Sequence, residues 1–214
     1  MKNIPIFTSE FGVASLILEE IPFKKEAYIR IQSSCDPDKL LSECVSFCKM
    51  AGADHVFATG NCRLDQYPLH TEIIRMECCG IENTSKNISV CQMTYDTLQQ
   101  WCDVYNTYMR GIPTAATMTI QRLKDMVQKG CCYFVFEGNS LLGIGKAENL
   151  QVDAIVAIQP GRGKDVMRAL CGLIDGQLVS VEVATNNIPA ISLYRKMGFE
   201  ERESVVKWYC VYNK

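Results

Sequence analysis

Between Ile155 and Phe199 the chain passes twice from an apolar, β-prone run through a short polar turn into an amphipathic helix. Ile155 to Ile158 leads through Gln159-Pro160 into a helix opened by Gly161-Arg162-Gly163 and running to Leu173. Leu178 to Ala184 leads through Thr185-Asn186-Asn187 into a helix from Pro189 to Met197. Strands followed at once by helices must bury the helices against a sheet, which restricts the fold to layered α/β or α+β arrangements.

The elements upstream complete the pattern. A strand, Ile88 to Gln92, precedes a long helix from Tyr95 to about Arg110, in which Leu98, Trp101, Cys102, Tyr105 and Tyr108 recur at three and four residues. Gly111-Ile112-Pro113 breaks it, and Thr119 caps a shorter helix, Ile120 to Gln128. Strands follow at Cys131 to Phe136, Leu141 to Ala147 and Val152 to Ile158, the first two joined by a hairpin turn at Gly138-Asn139. A last strand runs from Val205 to Tyr212. The expected order is β-α-α-β-β-β-α-β-α-β, an α+β fold with a mixed sheet and helices on both faces.

The first third reads as a smaller α/β half. Strands at Ala14 to Glu19 and Ala27 to Gln32 precede a helix with Asp36 as N-cap and Pro37 in its first turn; strands near Asp54 to Thr59 and Glu72 to Cys78 follow. The polar stretch Glu82 to Asn87 is the expected boundary, dividing the chain into residues 1–87 and 88–214.

Composition narrows the function. Almost half of the 214 residues are apolar, enough for a core without metal or disulfide staples. A net charge of −2 gives no electrostatic case for nucleic acid or an anionic membrane. No apolar run spans a bilayer and the N-terminus lacks a signal-peptide pattern, so a cytoplasmic location is expected. The 12 cysteines include no C-x-x-C, and His55 and His70 are the only histidines, which argues against zinc. Strand alternation is expected to send the side chains of Cys78-Cys79 and of Cys131-Cys132 to opposite faces; Cys44 and Cys48 should share a helix face. The expectation is small buried thiols in a reducing compartment.

Two segments carry a family resemblance. Asn187, Ala190, Leu193, Tyr194, Gly198 and Phe199 fit the spelling N-x-x-A-x-x-L-Y-x-x-x-G-F. That pattern resembles the strand-turn-helix ending of the GNAT acyl-CoA N-acyltransferases. Ile155 to Met167 is similar to the same family's cofactor turn, usually close to R-G-x-G-x-G; here Arg162-Gly163-Lys164 begins it, with Asp165 and Met167 in the later glycine positions.

The resemblance covers about Ser89 to Lys214 and implies a GNAT-like fold that moves an acetyl group from acetyl-CoA to a primary amine of a small molecule or peptide. It implies cofactor contacts from Val156, Ala157, Ile158, Gly161, Arg162, Gly163, Lys164, Asp165, Val166 and Asn187. Backbone N–H groups at a helix start favour the pyrophosphate. Arg162, Lys164 and Arg168 would offset the charge of Asp165, itself expected as a helix N-cap. An N–H on the strand Val156-Ala157-Ile158 is implied as oxyanion donor and Tyr194 as the acid. Asp153 is the expected base, with Glu148 and Glu137 as alternatives. A non-catalytic CoA-binding or protein-interaction domain on the same scaffold is the second expectation. By element order alone, the N-terminal half could be a reduced copy of the fold. Acceptor and oligomeric state are not legible.

Overall fold

A computed structural model of the chain describes residues 4–79, 87–174 and 178–214. Most of the polar stretch expected as a boundary, residues 80–86, lies outside them. The chain divides into two compact units: residues 1–72 with 206–214, and residues 73–205.

In the first unit, β1 (Ile6–Ser9) and β2 (Gly12–Ile17) form a hairpin. After a single turn of helix, α1 (Ile21–Lys24), come β3 (Glu26–Ser34), α2 (Pro37–Met50) and β4 (His55–Thr59). A 3-10 turn (Cys62–Gln66) leads into β5 (Leu69–Cys79). The sheet order is β1-β2-β3-β4 and then the end of β11 (Glu200–Asn213), which pairs antiparallel with β4. Leu40, Leu41, Cys44 and Cys48 of α2 are buried against Ile29, Ile31, Val56 and Ala58. The opposite face is aromatic: Tyr28 lies 5.2 Å from Phe57 and 5.1 Å from Trp208, ring to ring.

The second unit contains β6 (Ile88–Gln92), α3 (Leu98–Met109), α4 (Ile120–Lys129), β7 (Cys132–Glu137), β8 (Ser140–Glu148) and β9 (Gln151–Ala157), then α5 (Gly163–Cys171), β10 (Leu178–Ala184) and α6 (Ile188–Lys196). Its sheet runs β11-β5-β10-β9-β8-β7-β6, with β11 and β5 represented by residues 200–205 and 73–79. The fold is α+β and mixed: β10 is parallel to β9 and antiparallel to β5. One core lies under α5 and α6, with Val166, Met167, Leu170, Ile191 and Tyr194. The other lies under α3 and α4, with Leu98, Trp101, Tyr105 and Leu123.

The local signals act as their chemistry requires. Asp36 accepts from Lys39 N, Thr119 from Arg122 N and Asn187 from Ala190 N, each filling an N–H that the first helical turn leaves unpaired. α5 approaches β8 closely because β8 carries glycine there. A Cβ on Gly145 would stand 2.2 Å from Leu170 Cδ1.

Candidate functional site

The site is built where two parallel strands part. Among the described residues, β9 and β10 are paired only at Ser180↔Gln151, near the start of each strand, while β9 continues to Ala157 and β10 to Ala184. On its other edge β9 is held by β8 from Glu148↔Gln151 to Gly143↔Ala157. The N–H of Ile158 donates to Leu142 O at 2.8 Å. Backbone groups alternate sides along a strand, so the N–H of Ala157 points away from β8, toward the side where β10 has left the ladder.

At the end of β9 the chain turns through Gly161, whose φ of +83° belongs to the left-handed region that glycine enters without strain. α5 then begins at Gly163 with Arg162 as N-cap and no side chain capping it. Asp165 N and Val166 N both donate to Arg162 O, at 3.1 Å each. Arg162 N in turn donates to Gln159 O, so among the described residues the donors left open at this helix start are the N–H groups of Gly163 and Lys164, which lie at the positive end of the helix dipole beside the parted strands.

The side chains around this turn differ from expectation. Asp165 is not the N-cap; it is the third residue of α5, and its carboxylate accepts from Arg162 Nε at 2.6 Å. Glu137, at the end of β7, accepts from both terminal nitrogens of the same guanidinium at 2.9 and 2.8 Å. Arg162 is thus clamped between two carboxylates, and these hydrogen bonds hold the Glu137 carboxyl below the usual carboxylate range. Sequence spacing carries no signal for this: Glu137 and Arg162 are 25 residues apart.

Each candidate base is ion-paired. Asp153 binds Lys146. Glu148 lies 3.4 Å from Lys129 and 3.7 Å from Lys146. Asp153 is also the extra residue of a bulge, since the register passes from Lys146↔Ala154 to Ala147↔Val152. It stands four residues upstream of Ala157, about 13 Å along an extended strand.

Tyr194 is 8% exposed and packs with Val166, Met167 and Leu170 in the core under α5 and α6, its ring 5.6 Å from Phe199. Burial, with Cys171 nearby, pushes its hydroxyl up to about 12, so it keeps its proton at neutral pH. Asn187 spends its side-chain oxygen as the N-cap of α6. Tyr108 of α3, taken from the sequence only as part of a helix face, donates its hydroxyl to Ile158 O at 3.4 Å, which brings α3 to the end of β9. A cavity of about 550 Å³ lined by Ile74, Thr185, Ile188, Ile191, Ser192 and Arg195, among others, contains none of the predicted site residues.

A GCN5-related N-acetyltransferase from Sphaerobacter thermophilus superposes with a TM-score of 0.59 at 12% identity, over 94% of this chain and 76% of that one. The chain has a GNAT-like fold. A GNAT-family acetyltransferase from Colwellia psychrerythraea matches with a TM-score of 0.52 at 13% identity, over 96% of this chain and 84% of its own. A tandem GNAT protein of the clavulanic acid biosynthesis pathway matches with a TM-score of 0.54 at 12% identity, covering 94% and 80%. The two-unit arrangement is in keeping with that tandem GNAT match. No protein-family model matches the chain, and no curated protein does so. Among the described residues, no helix is long and apolar enough to cross a membrane.

Proposed function

We propose that this chain is an N-acyltransferase that moves an acetyl group from acetyl-CoA to a primary amine of a small molecule or peptide. The observation that carries the proposal is the parting of β9 from β10 directly before an uncapped α5. A cofactor arm needs backbone donors that no strand satisfies, and the parted edge supplies them. A pyrophosphate needs helix-start N–H groups, and Gly163 and Lys164 offer theirs without a competing cap. The neighbours named as acetyltransferases support the same chemistry by fold.

Acetyl-CoA supplies an activated thioester. The protein's part is to orient it and to manage charge. The Ala157 N–H would donate to the carbonyl oxygen as negative charge gathers there. Tyr194, protonated at neutral pH like any tyrosine, would give its proton to the departing sulfur. Asp153 is too far upstream to meet the amine directly and would receive its proton through water. Lys164 and Arg168 would carry the positive charge near the phosphates, because Arg162 is already matched by Glu137 and Asp165.

That clamp favours one second reading, a CoA-binding domain without turnover. Two measurements separate the two. Acetyl-CoA at a hundredfold excess over its Kd should add about 2.7 kcal/mol and raise the melting temperature by roughly 5–10 °C. Amine-dependent release of free CoA thiol should follow, and Tyr194→Phe should cut it roughly 100-fold. No melting shift at millimolar acetyl-CoA rejects both readings. A shift without thiol release on any amine leaves the binding domain.

A further inference from the structure

Adjacent cysteines occur twice in the second unit, and the two pairs are built differently. Cys78 and Cys79 lie within β5, where alternation buries the first and exposes the second. The same alternation was expected at Cys131 and Cys132, and it does not hold. β7 begins at Cys132, so Cys131 still belongs to the turn that ends α4. Gly130, with φ +66°, donates its N–H to Met126 O and Val127 O and folds the chain back beneath the helix. Both thiols consequently meet one residue: Cys131 Sγ is 3.8 Å from Met126 O and Cys132 Sγ is 3.7 Å from Met126 Sδ. Both pack in the core under α3 and α4.

Cys131 has a way in, and Cys132 is reached through it, being buried behind the cavity wall. Cys131 lines a cavity of about 220 Å³ together with Lys129, Gly130, Glu148, Asn149 and Leu173. The Cys132 thiol beside it pulls the Cys131 thiol down, with Lys146 and Lys129 adding to that and burial and Glu148 opposing it. The hydrogen bond between the two pushes the Cys132 thiol the opposite way, and burial does so for the enclosed thiols of Cys44, Cys48, Cys78, Cys102 and Cys171.

We propose that Cys131 and Cys132 form a dithiol site that takes a soft, thiol-seeking centre able to accept two sulfurs, such as trivalent arsenic, entering through the cavity beside Lys129 and Glu148. With an arylarsine oxide the arsenic–oxygen bond is replaced by two arsenic–sulfur bonds. Both thiol protons leave with the oxygen as one water, and no oxidation state changes. The site is independent of acyl transfer.

Phenylarsine oxide, added to the folded full-length protein, should give one adduct by intact mass. Subsequent labelling with N-ethylmaleimide after denaturation, read by peptide mapping, should find Cys131 and Cys132 protected together. Cys131→Ser and Cys132→Ser should each abolish the adduct, and Cys79→Ser should keep it. Protection at Cys44 and Cys48 instead, or an adduct that survives in both single variants, overturns the proposal. So does a folded protein that takes no arsenical while its denatured chain does. The protection map uses the unaltered protein, so a variant that fails to fold does not remove the test.

Discussion

The chain makes two parallel crossovers, one in each unit, and they end differently. In β3-α2-β4 the strands are paired from Glu26↔His55 to Arg30↔Thr59, and α2 starts on Asp36, which fills its own N–H site, and Pro37, which has no N–H to offer. In β9-α5-β10 the strands are paired at one position, and α5 starts on Arg162 and Gly163 with no side-chain cap. The first crossover pairs its strands from end to end of β4 and caps its helix with its own side chain. The second leaves a strand edge and a helix start for something else to satisfy. Apart from the single turn α1 between β2 and β3, element order runs alike through both, β1-β2-α1-β3-α2-β4 against β7-β8-β9-α5-β10, so a shared succession of elements does not by itself make a site. What differs is whether the chain closes its own hydrogen bonds.

Each crossover belongs to a unit that takes a strand from a distant part of the sequence, and cutting the chain breaks this most severely. The second unit holds residues 73–79 between β10 and β11, and the first holds 206–213 against β4. A fragment of residues 88–214 would lose the strand beside β10 and should show no cooperative unfolding by calorimetry. A fragment that melts cooperatively would make residue 87 a true boundary.

A smaller effect compares the two cores under alkali. Cys44 and Cys48 in the first unit are pushed up to about 12 and about 11 by burial, and Tyr194 in the second to about 12. A group whose pKa is raised by folding holds its proton longer in the native state, so stability falls as pH rises through the interval between the unfolded and folded values. For Tyr194 that interval runs from about 10 to about 12 and is worth about 3 kcal/mol at its top. Urea unfolding from pH 8 to 11.5 should show stability declining, and Tyr194→Phe should flatten the slope above pH 10. An unchanged slope would mean that the hydroxyl is not buried in solution.

The finest test sets the two helix starts against each other. Asp36→Ala should lower the melting temperature by roughly 2–4 °C through loss of the cap and leave acetyl-CoA affinity unchanged. Glu137→Gln removes one of the two charges on Arg162, and acetyl-CoA should bind roughly two- to fivefold more tightly by calorimetric titration. Equal responses of the two variants toward acetyl-CoA would erase the distinction between a closed and an open crossover.

What the sequence determined by itself was local. Asp36, Thr119 and Asn187 could be placed as caps because an N-cap contacts an N–H only two or three residues ahead. The succession of strands and helices followed from apolar periodicity, and the pattern from Asn187 to Phe199 pointed to the GNAT-like fold. Tertiary structure alone decided where β9 leaves β10, which carbonyl takes the N–H of Ile158, and that Arg162 faces Glu137 rather than an open turn. It also decided that Cys131 and Cys132 share one side, because the strand begins one residue later than the periodicity placed it. Caps and turns are settled within a few residues of chain. Strand register, ion pairs and the side on which a thiol lies are settled by which elements come to rest beside one another, and that depends on the packing of the whole unit.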